Sequence, residues 1–549
     1  MAAAIRLRRL IYTAGIVLTS AVPLLAQGQT GVGIPVTDSL VIAKCGTCHA
    51  ADAQGRLQRI SSARTTPEGW QAVLKRMIRE HDVSLTPLEA RAIVRYLSTR
   101  HALAPEESKP VMYSAERRVH DETGQLNATF LDACAKCHEA ARALSWRRTA
   151  DEWKQFVETH ARRNSFKPDQ EAVAYLGQVA PFDTREWASW SARADLPELT
   201  GRWLMTAHVQ GRGTFHGEMD VEAAGGDEFL TRVRLHSIND GATLVRTGRS
   251  VVYAGTAWRG RSKGVGAASA APDDLSTEAR EAMWVAPDGS RVEGRWFWGQ
   301  YDELGFDVTM QRASAEPALL LVDPPSLKAG SNANTLRLIG DHFRAPVTPA
   351  DLTVGSGVTV RRIVSATPDE IVAEVDVAAD ASPGQRSISF RSATLERAMA
   401  IYDRVDYVKV TPESSLATFG SQTYSRGFQQ FEAIGYQRGT DGRPHTADDL
   451  ELGPVQVAWS MEVFYDVDSD KPDRVGTVSS TGFFTPAAVN PGTNHDVWII
   501  ATAKTEKGQD GKPLVGKGYL VVTVPTYTFE GRTYVRELGR WIEEGMSAR

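Results

Sequence analysis

The chain has 549 residues, of which 42% are hydrophobic and 23% charged, with 46 Gly, 26 Pro and only four Cys. That length exceeds what one hydrophobic core can organise, and the composition excludes wholesale disorder, collagen and coiled coil. A formal net charge of −5 disfavours nucleic acid and anionic membrane surfaces as partners, and four cysteines are too few for a disulfide-built scaffold of this size.

At the N-terminus, Arg6, Arg8 and Arg9 precede an apolar run from Leu10 to about Ala26 that no acid interrupts. The run is short and flanked as a signal peptide is, not as a membrane span. Residues 1–26 are therefore expected to be cleaved, although Leu24 makes the site a weak match. Cleavage removes three arginines and no acid, leaving a net charge of −8. No later segment reaches about 18 consecutive apolar residues, so no membrane anchor is expected.

All four cysteines fall in two copies of one motif, C-G-T-C-H at Cys45–His49 and C-A-K-C-H at Cys134–His138. Cysteines at i and i+3 lie on one side of a helical turn, where both can add to the vinyl groups of one porphyrin. The following histidine then sits under the iron as proximal ligand. A thioredoxin-like dithiol predicts one such motif in a βαβ setting. A structural zinc site needs the two Cys pairs to converge and leaves His49 and His138 over. Two copies behind an export signal, using every cysteine, favour two covalent haems c held by Cys45 and Cys48 and by Cys134 and Cys137.

A repeat continues beyond each motif. With Trp70 aligned on Trp153, Val73 and Leu74 match Phe156 and Val157, Met77 matches His160, and Tyr96-Leu97 meets Tyr175-Leu176. The apolar positions form one helical stripe, followed by a Pro-containing helix start near Pro87 and Pro168 and a short closing helix. This is the outline of a small cytochrome c, drawn twice over residues 27–195. Met77 and His160 share one repeat position, and both side chains can ligate haem iron. The expected sets are His49 with Met77 and His138 with His160. His81, His101 and His120 remain competing ligands. Thioether ligation raises the potential above that of a second imidazole, so the His/His haem is expected to be the lower-potential one.

After about residue 195, short alternating runs with Gly, Asp and Asn turns replace the helical stripes. Seven or eight strands within 196–315 suggest an antiparallel barrel or sandwich. Its Trp258, Trp284, Trp296 and Trp298 fill the core or, less in keeping with aromatic usage, line a ligand cavity. Residues 316–410 suggest an immunoglobulin-like β-sandwich. Residues 411–549 have the texture of another β-sandwich and close on a short helix near YVRELGRWIEEG. Two acidic stretches, TDGRPHTADDLE and DVDSDKPDRVG with Asp466, Asp468 and Asp470, superficially suggest calcium loops. The second lacks the glycine and the closing acid of an EF-hand loop, and both suit solvated turns better. No Rossmann, P-loop, nucleophile-elbow or zincin motif is present.

An all-α diheme cytochrome c followed by three all-β domains resembles the alpha (diheme) subunit of quinohaemoprotein amine dehydrogenase. The resemblance spans the mature chain and rests on both C-x-x-C-H motifs, the Trp/Met and Trp/His repeat, and the succession of β domains. It implies a periplasmic heterotrimer with a β-propeller subunit and a small subunit carrying cysteine tryptophylquinone, where primary amines are oxidatively deaminated. This chain is then expected to pass electrons through its two haems to a soluble cytochrome c or blue copper protein and to hold no catalytic residue of its own. A stand-alone diheme carrier with β binding modules is the competing reading.

Overall fold

The computed structural model describes residues 33–112, 127–134, 140–193, 197–266, 269, 271–421, 424–464, 472–489 and 491–525, with the backbone of two short strands beyond them. The expected signal peptide, Cys137, His138, His120 and the aspartates Asp466, Asp468 and Asp470 lie outside the described residues.

The N-terminal region is built twice. Helices Ser39–Cys45, Pro67–His81 and Pro87–Arg100 recur as Ala128–Cys134, Ala150–Arg163 and Gln170–Val179. Each middle helix starts where a threonine hydroxyl accepts a backbone N–H three residues on, Thr66 from Gly69 and Thr149 from Glu152. Trp70 and Trp153 sit four residues beyond these caps and are buried. Their indoles donate to the carbonyls of His101 (3.1 Å) and Ala180 (2.9 Å). Each tryptophan anchors a small core, one with Leu74, Ile93 and Leu97 and the other with Phe130 and Leu176.

The region is not purely helical. Strand Ala63–Thr65 pairs antiparallel with Trp146–Arg148, with Arg64 opposite Arg147. Both arginines stand six residues before their repeat tryptophan, so equivalent positions face one another. A local twofold axis therefore passes between them and relates the two lobes. A second equivalent pair crosses the same axis, because Glu80 and Arg163, each ten residues after its tryptophan, form an ion pair at 2.8 Å.

The next 112 residues form an eight-stranded closed barrel, from Gly201–Val209 to Leu304–Arg312, in which strands pair in chain order and the last closes on the first. Alternation points Trp203, Met205, Trp258, Met283, Trp296 and Phe306 into one core. Gly260 is small for a reason: a Cβ there would collide with the buried carboxylate of Glu281. Trp284 departs from the expectation that all four tryptophans face the barrel interior. It follows inward Met283, so it points outward, where its indole donates to Pro105 O of the helical region at 3.0 Å. The helical region also docks through ion pairs of Glu68 with Arg259, Arg95 with Asp227, and Arg91 with Glu228 (2.5 Å).

Beyond the barrel, two four-stranded sheets enclose a core that includes Leu336, Leu338, Ile371, Ile388, Phe390 and Ile401. The last unit packs a four-stranded sheet, with its long strands His495–Lys507 and Pro513–Thr523, over Val410, Phe431 and Phe484. The helix expected at the C-terminal end is replaced by strands Thr533–Val535 and Arg540–Ile542, paired with Tyr534 opposite Trp541. The residues explain the difference, since Thr, Tyr, Val, Trp and Ile favour extended backbone and Gly539 interrupts a helical run. In the first acidic stretch, Asp448 accepts from Thr440 N (2.7 Å) and Thr446 Oγ1 (2.9 Å), and Asp449 from Tyr407 Oη (2.7 Å) and Gly439 N (2.9 Å). These carboxylates are occupied in closing their own turn.

Candidate haem-binding site

Asp38 caps helix Ser39–Cys45 by accepting from Val41 N at 2.9 Å, and the helix ends on the first motif cysteine. The chain then makes one more turn. Cys48 N and His49 N both donate to Cys45 O, at 3.2 and 2.9 Å. The C-x-x-C-H pentapeptide is thus one helical turn with both thiols and the imidazole rooted in it. Nδ1 of His49 lies 2.9 Å from Gln58 O. A carbonyl only accepts, so Nδ1 carries the proton and Nε2 keeps a lone pair for a metal. Burial lowers the His49 pKa, against the Gln58 bond that would raise it, which favours the neutral ligating ring.

Burial, and secondarily the charge of Cys48, raises the pKa of Cys45, and burial lifts Cys134 to about 11. A redox dithiol needs the opposite shift. Among the described residues, no group of three or more His, Cys, Asp or Glu converges as a zinc site would require. The surroundings suit a flat apolar ligand. Met77 is half-buried on helix Pro67–His81, and Ile42 and Ile78 beside these residues are 45% and 41% exposed. The first lobe therefore has the two thiols, the oriented imidazole, a thioether and the apolar walls that a haem c needs.

The second lobe repeats the frame. Cys134 again ends the first helix. His160 lies on Ala150–Arg163, stacked on Phe156 (centroids 5.9 Å apart, planes 6° apart) and edge-on to Phe166 at 5.6 Å. Its Nδ1 is 3.2 Å from Nδ2 of Asn164, which donates, so the neutral ring holds its proton on Nε2. Ligation by Nε2 requires that proton to move. Of the competing ligands, His81 ends its helix and is exposed. His101 is wholly buried against Trp70 and Tyr96, and burial takes its pKa down to about 4. Its carbonyl receives both the Trp70 indole and Thr65 N, which marks it as a core residue of the first lobe.

Sequence reasoning missed the ionic centre on the twofold axis. Buried Glu107 accepts from Arg64 Nη1 (2.6 Å), Arg147 Nε (3.2 Å), Thr184 Oγ1 (2.8 Å) and Ala104 N (2.7 Å). Burial alone would raise its pKa, but hydrogen bonds and charge from Arg64 and Arg147 outweigh it and hold the carboxyl low. The equivalence of Arg64 and Arg147 is visible in the repeat, whereas their common partner is not.

Four family profiles match the chain in order. Residues 36–176 match the haem-binding domain of the quinohemoprotein amine dehydrogenase alpha subunit. Residues 197–313, 316–403 and 408–531 match alpha-subunit domains II, III and IV. The chain belongs to the quinohemoprotein amine dehydrogenase alpha-subunit family. As a quinohemoprotein amine dehydrogenase alpha subunit it is part of an oxidoreductase whose catalytic quinone is carried by another subunit. Its haem-binding domain makes it the electron-transfer subunit of that enzyme. None of the curated proteins matches the chain. Solved structures match only in part and carry no further argument. A redesigned beta barrel is 14% identical, covering 21% of this chain and 92% of its own, with a TM-score of 0.17. Sidekick-1 immunoglobulin domains 1–4 are 10% identical over 60% of this chain and 97% of their own, with a TM-score of 0.14. Among the described residues no helix is long and apolar enough to cross a membrane.

Proposed function

We propose that this alpha subunit carries two haems c, one linked to Cys45 and Cys48 with His49 and Met77 as iron ligands, the other linked to Cys134 and Cys137 with His138 and His160. When bound, these haems supply one-electron iron chemistry. The chain's own residues do the rest. The Cys45–His49 turn sets thiols and imidazole at one face, Gln58 O fixes the imidazole tautomer, and the Trp70 and Trp153 cores hold the middle helices against their motifs. The observation that carries the reading is the His49 Nδ1 to Gln58 bond within a turn that also presents both thiols.

The subunit receives electrons from a cysteine tryptophylquinone on a small partner during oxidative deamination of primary amines. It delivers them to a soluble cytochrome c or blue copper protein. With a β-propeller partner it forms a heterotrimer in the periplasm, after cleavage near Ala26, and its two distal β domains are immunoglobulin-like sandwiches. Isolation from the native host tests the assembly, with the expectation of two copurifying subunits, the smaller bearing a quinone. A lone haemoprotein with no quinone-bearing partner would instead favour the stand-alone carrier. Intact mass tests the cofactor count, since two haems add two equal increments to the mature chain, and one increment or none would reject it.

A further inference from the structure

Three arginines gather where the lobes meet, and among the described residues none forms an ion pair with a carboxylate, although Glu80 lies within electrostatic reach of Arg76. Arg148, on the ribbon strand, is 6% exposed. Its guanidinium carbon lies 4.2 Å from the Trp146 ring centroid, 4.7 Å from Phe156 and 5.6 Å from Trp153. Its Nε finds no acceptor among the described residues. Arg76 is half-buried beside Met77. Arg59 stands at the rim beside Gln58 and reaches across to Gln155 Oε1 at 3.1 Å. Arg59 and Arg76 both oppose the charge on Arg148. The local acid Glu80 is engaged by Arg163 at 2.8 Å. Glu152 is within electrostatic reach of Arg148 but forms no ion pair with it among the described residues. The contrast with Arg64 and Arg147, which share Glu107, is plain.

A buried guanidinium without an acceptor is strongly unfavourable unless an anion completes it. The two propionates are the anionic groups of a haem, and a planar guanidinium fork matches a carboxylate. We infer that Arg148, Arg76 and Arg59 hold the propionates of the haem on Cys45 and Cys48, with Arg148 reaching in from the other lobe. Two of the three belong to that lobe, Arg59 following Gln58, whose carbonyl holds His49, and Arg76 preceding Met77. His49 itself lies within the field of both. The repeat supplies an independent reason. The equivalents of Arg148 and Arg76 in the other copy are Thr65 and Thr159, so these two of the three charges are built once although the lobe is built twice. The hydroxyls of both threonines are already bonded, to Ser145 O and Gln155 O. This asymmetry places excess positive charge beside one haem, which favours its ferrous state.

The inference rests on the haem reading above, and the test separates the two. Holoprotein carrying Arg148→Gln or Arg148→Lys is titrated spectroelectrochemically alongside the parent, with haem content and low-spin spectrum as controls. Arg148→Gln is expected to lower the midpoint potential of the thioether-ligated haem alone. It should also make that potential vary with pH in the neutral range, as the freed propionate takes up a proton, while Arg148→Lys stays near the parent. Two unshifted potentials, or a shift confined to the His/His haem, would overturn the assignment with haem content intact. A parent protein without two haems would instead defeat the underlying reading. If Arg148→Gln fails to accumulate, Arg76→Gln at the half-buried position carries the same test.

Discussion

His49 and His160 differ in how far their rings are prepared to ligate iron. The tautomer of His49 is already set by Gln58 O, whereas His160 accepts at Nδ1 from Asn164 and must give up its Nε2 proton to bind iron. His160→Ala is expected to change the absorption and magnetic signature of one haem and leave the other untouched. Unchanged spectra for both would remove His160 as a ligand. Asn164→Ala frees Nδ1 and should leave that haem low-spin, with at most a small change in potential. Loss of ligation in this variant would mean that the bond to Asn164 supports the bound imidazole rather than competing with it.

The two-stranded ribbon and the repeated middle helices fix how the lobes meet. Arg64 and Arg147 share one carboxylate, so removing Glu107 leaves two buried cations without a counterion. Glu107→Ala is expected to destabilise the helical region by about 3–5 kcal/mol, the range for breaking a buried ion pair from one side. Chemical unfolding followed by haem absorbance measures this, and a loss below about 1 kcal/mol would show that the pair is already well hydrated. The caps should matter less. Thr149→Ala removes one acceptor at the start of Ala150–Arg163 and is expected to cost about 1 kcal/mol, read in the same assay.

The barrel and the C-terminal domain meet through titratable groups. His208 Nε2 lies 2.9 Å from Glu432 Oε2. Burial disfavours charge on His208, but the hydrogen bond and charge of Glu432 prevail and raise its pKa. Burial also pushes Glu303 up to about 7, against the backbone N–H groups of Tyr301 and Phe428 that it accepts. Both groups bind a proton more tightly in the folded chain than in the unfolded one. Their contributions are therefore full below the unfolded pKa values and are lost as pH rises through the folded ones. The thermal midpoint of the β domains is expected to fall as pH is raised through about 7, and the slope to flatten in Glu303→Gln. Identical slopes for parent and variant would exclude Glu303 as a contributor.

Much of this molecule is legible along the chain because it is local. Cysteine spacing, the Trp70 and Trp153 stripes and the strand alternation of 201–312 each express a helical or extended period within a few residues. They foretold the duplicated helical lobes, the all-β remainder and the family resemblance. Period alone does not say which residues meet across a hundred positions. Glu107 joining Arg64 to Arg147, Trp284 turning out to Pro105, and Arg148 buried among rings with no acceptor for its Nε among the described residues all depend on strand register and on lobes docking about an axis. The C-terminal strand pair differs from the expected helix because β-favouring Thr533, Tyr534, Val535, Trp541 and Ile542 lie in two segments that pair with each other, and that pairing shows only once the two segments meet. Backbone pattern is written in neighbours. The partners of buried charges are chosen by burial itself, which penalises every unpaired group and exists only once the chain has folded.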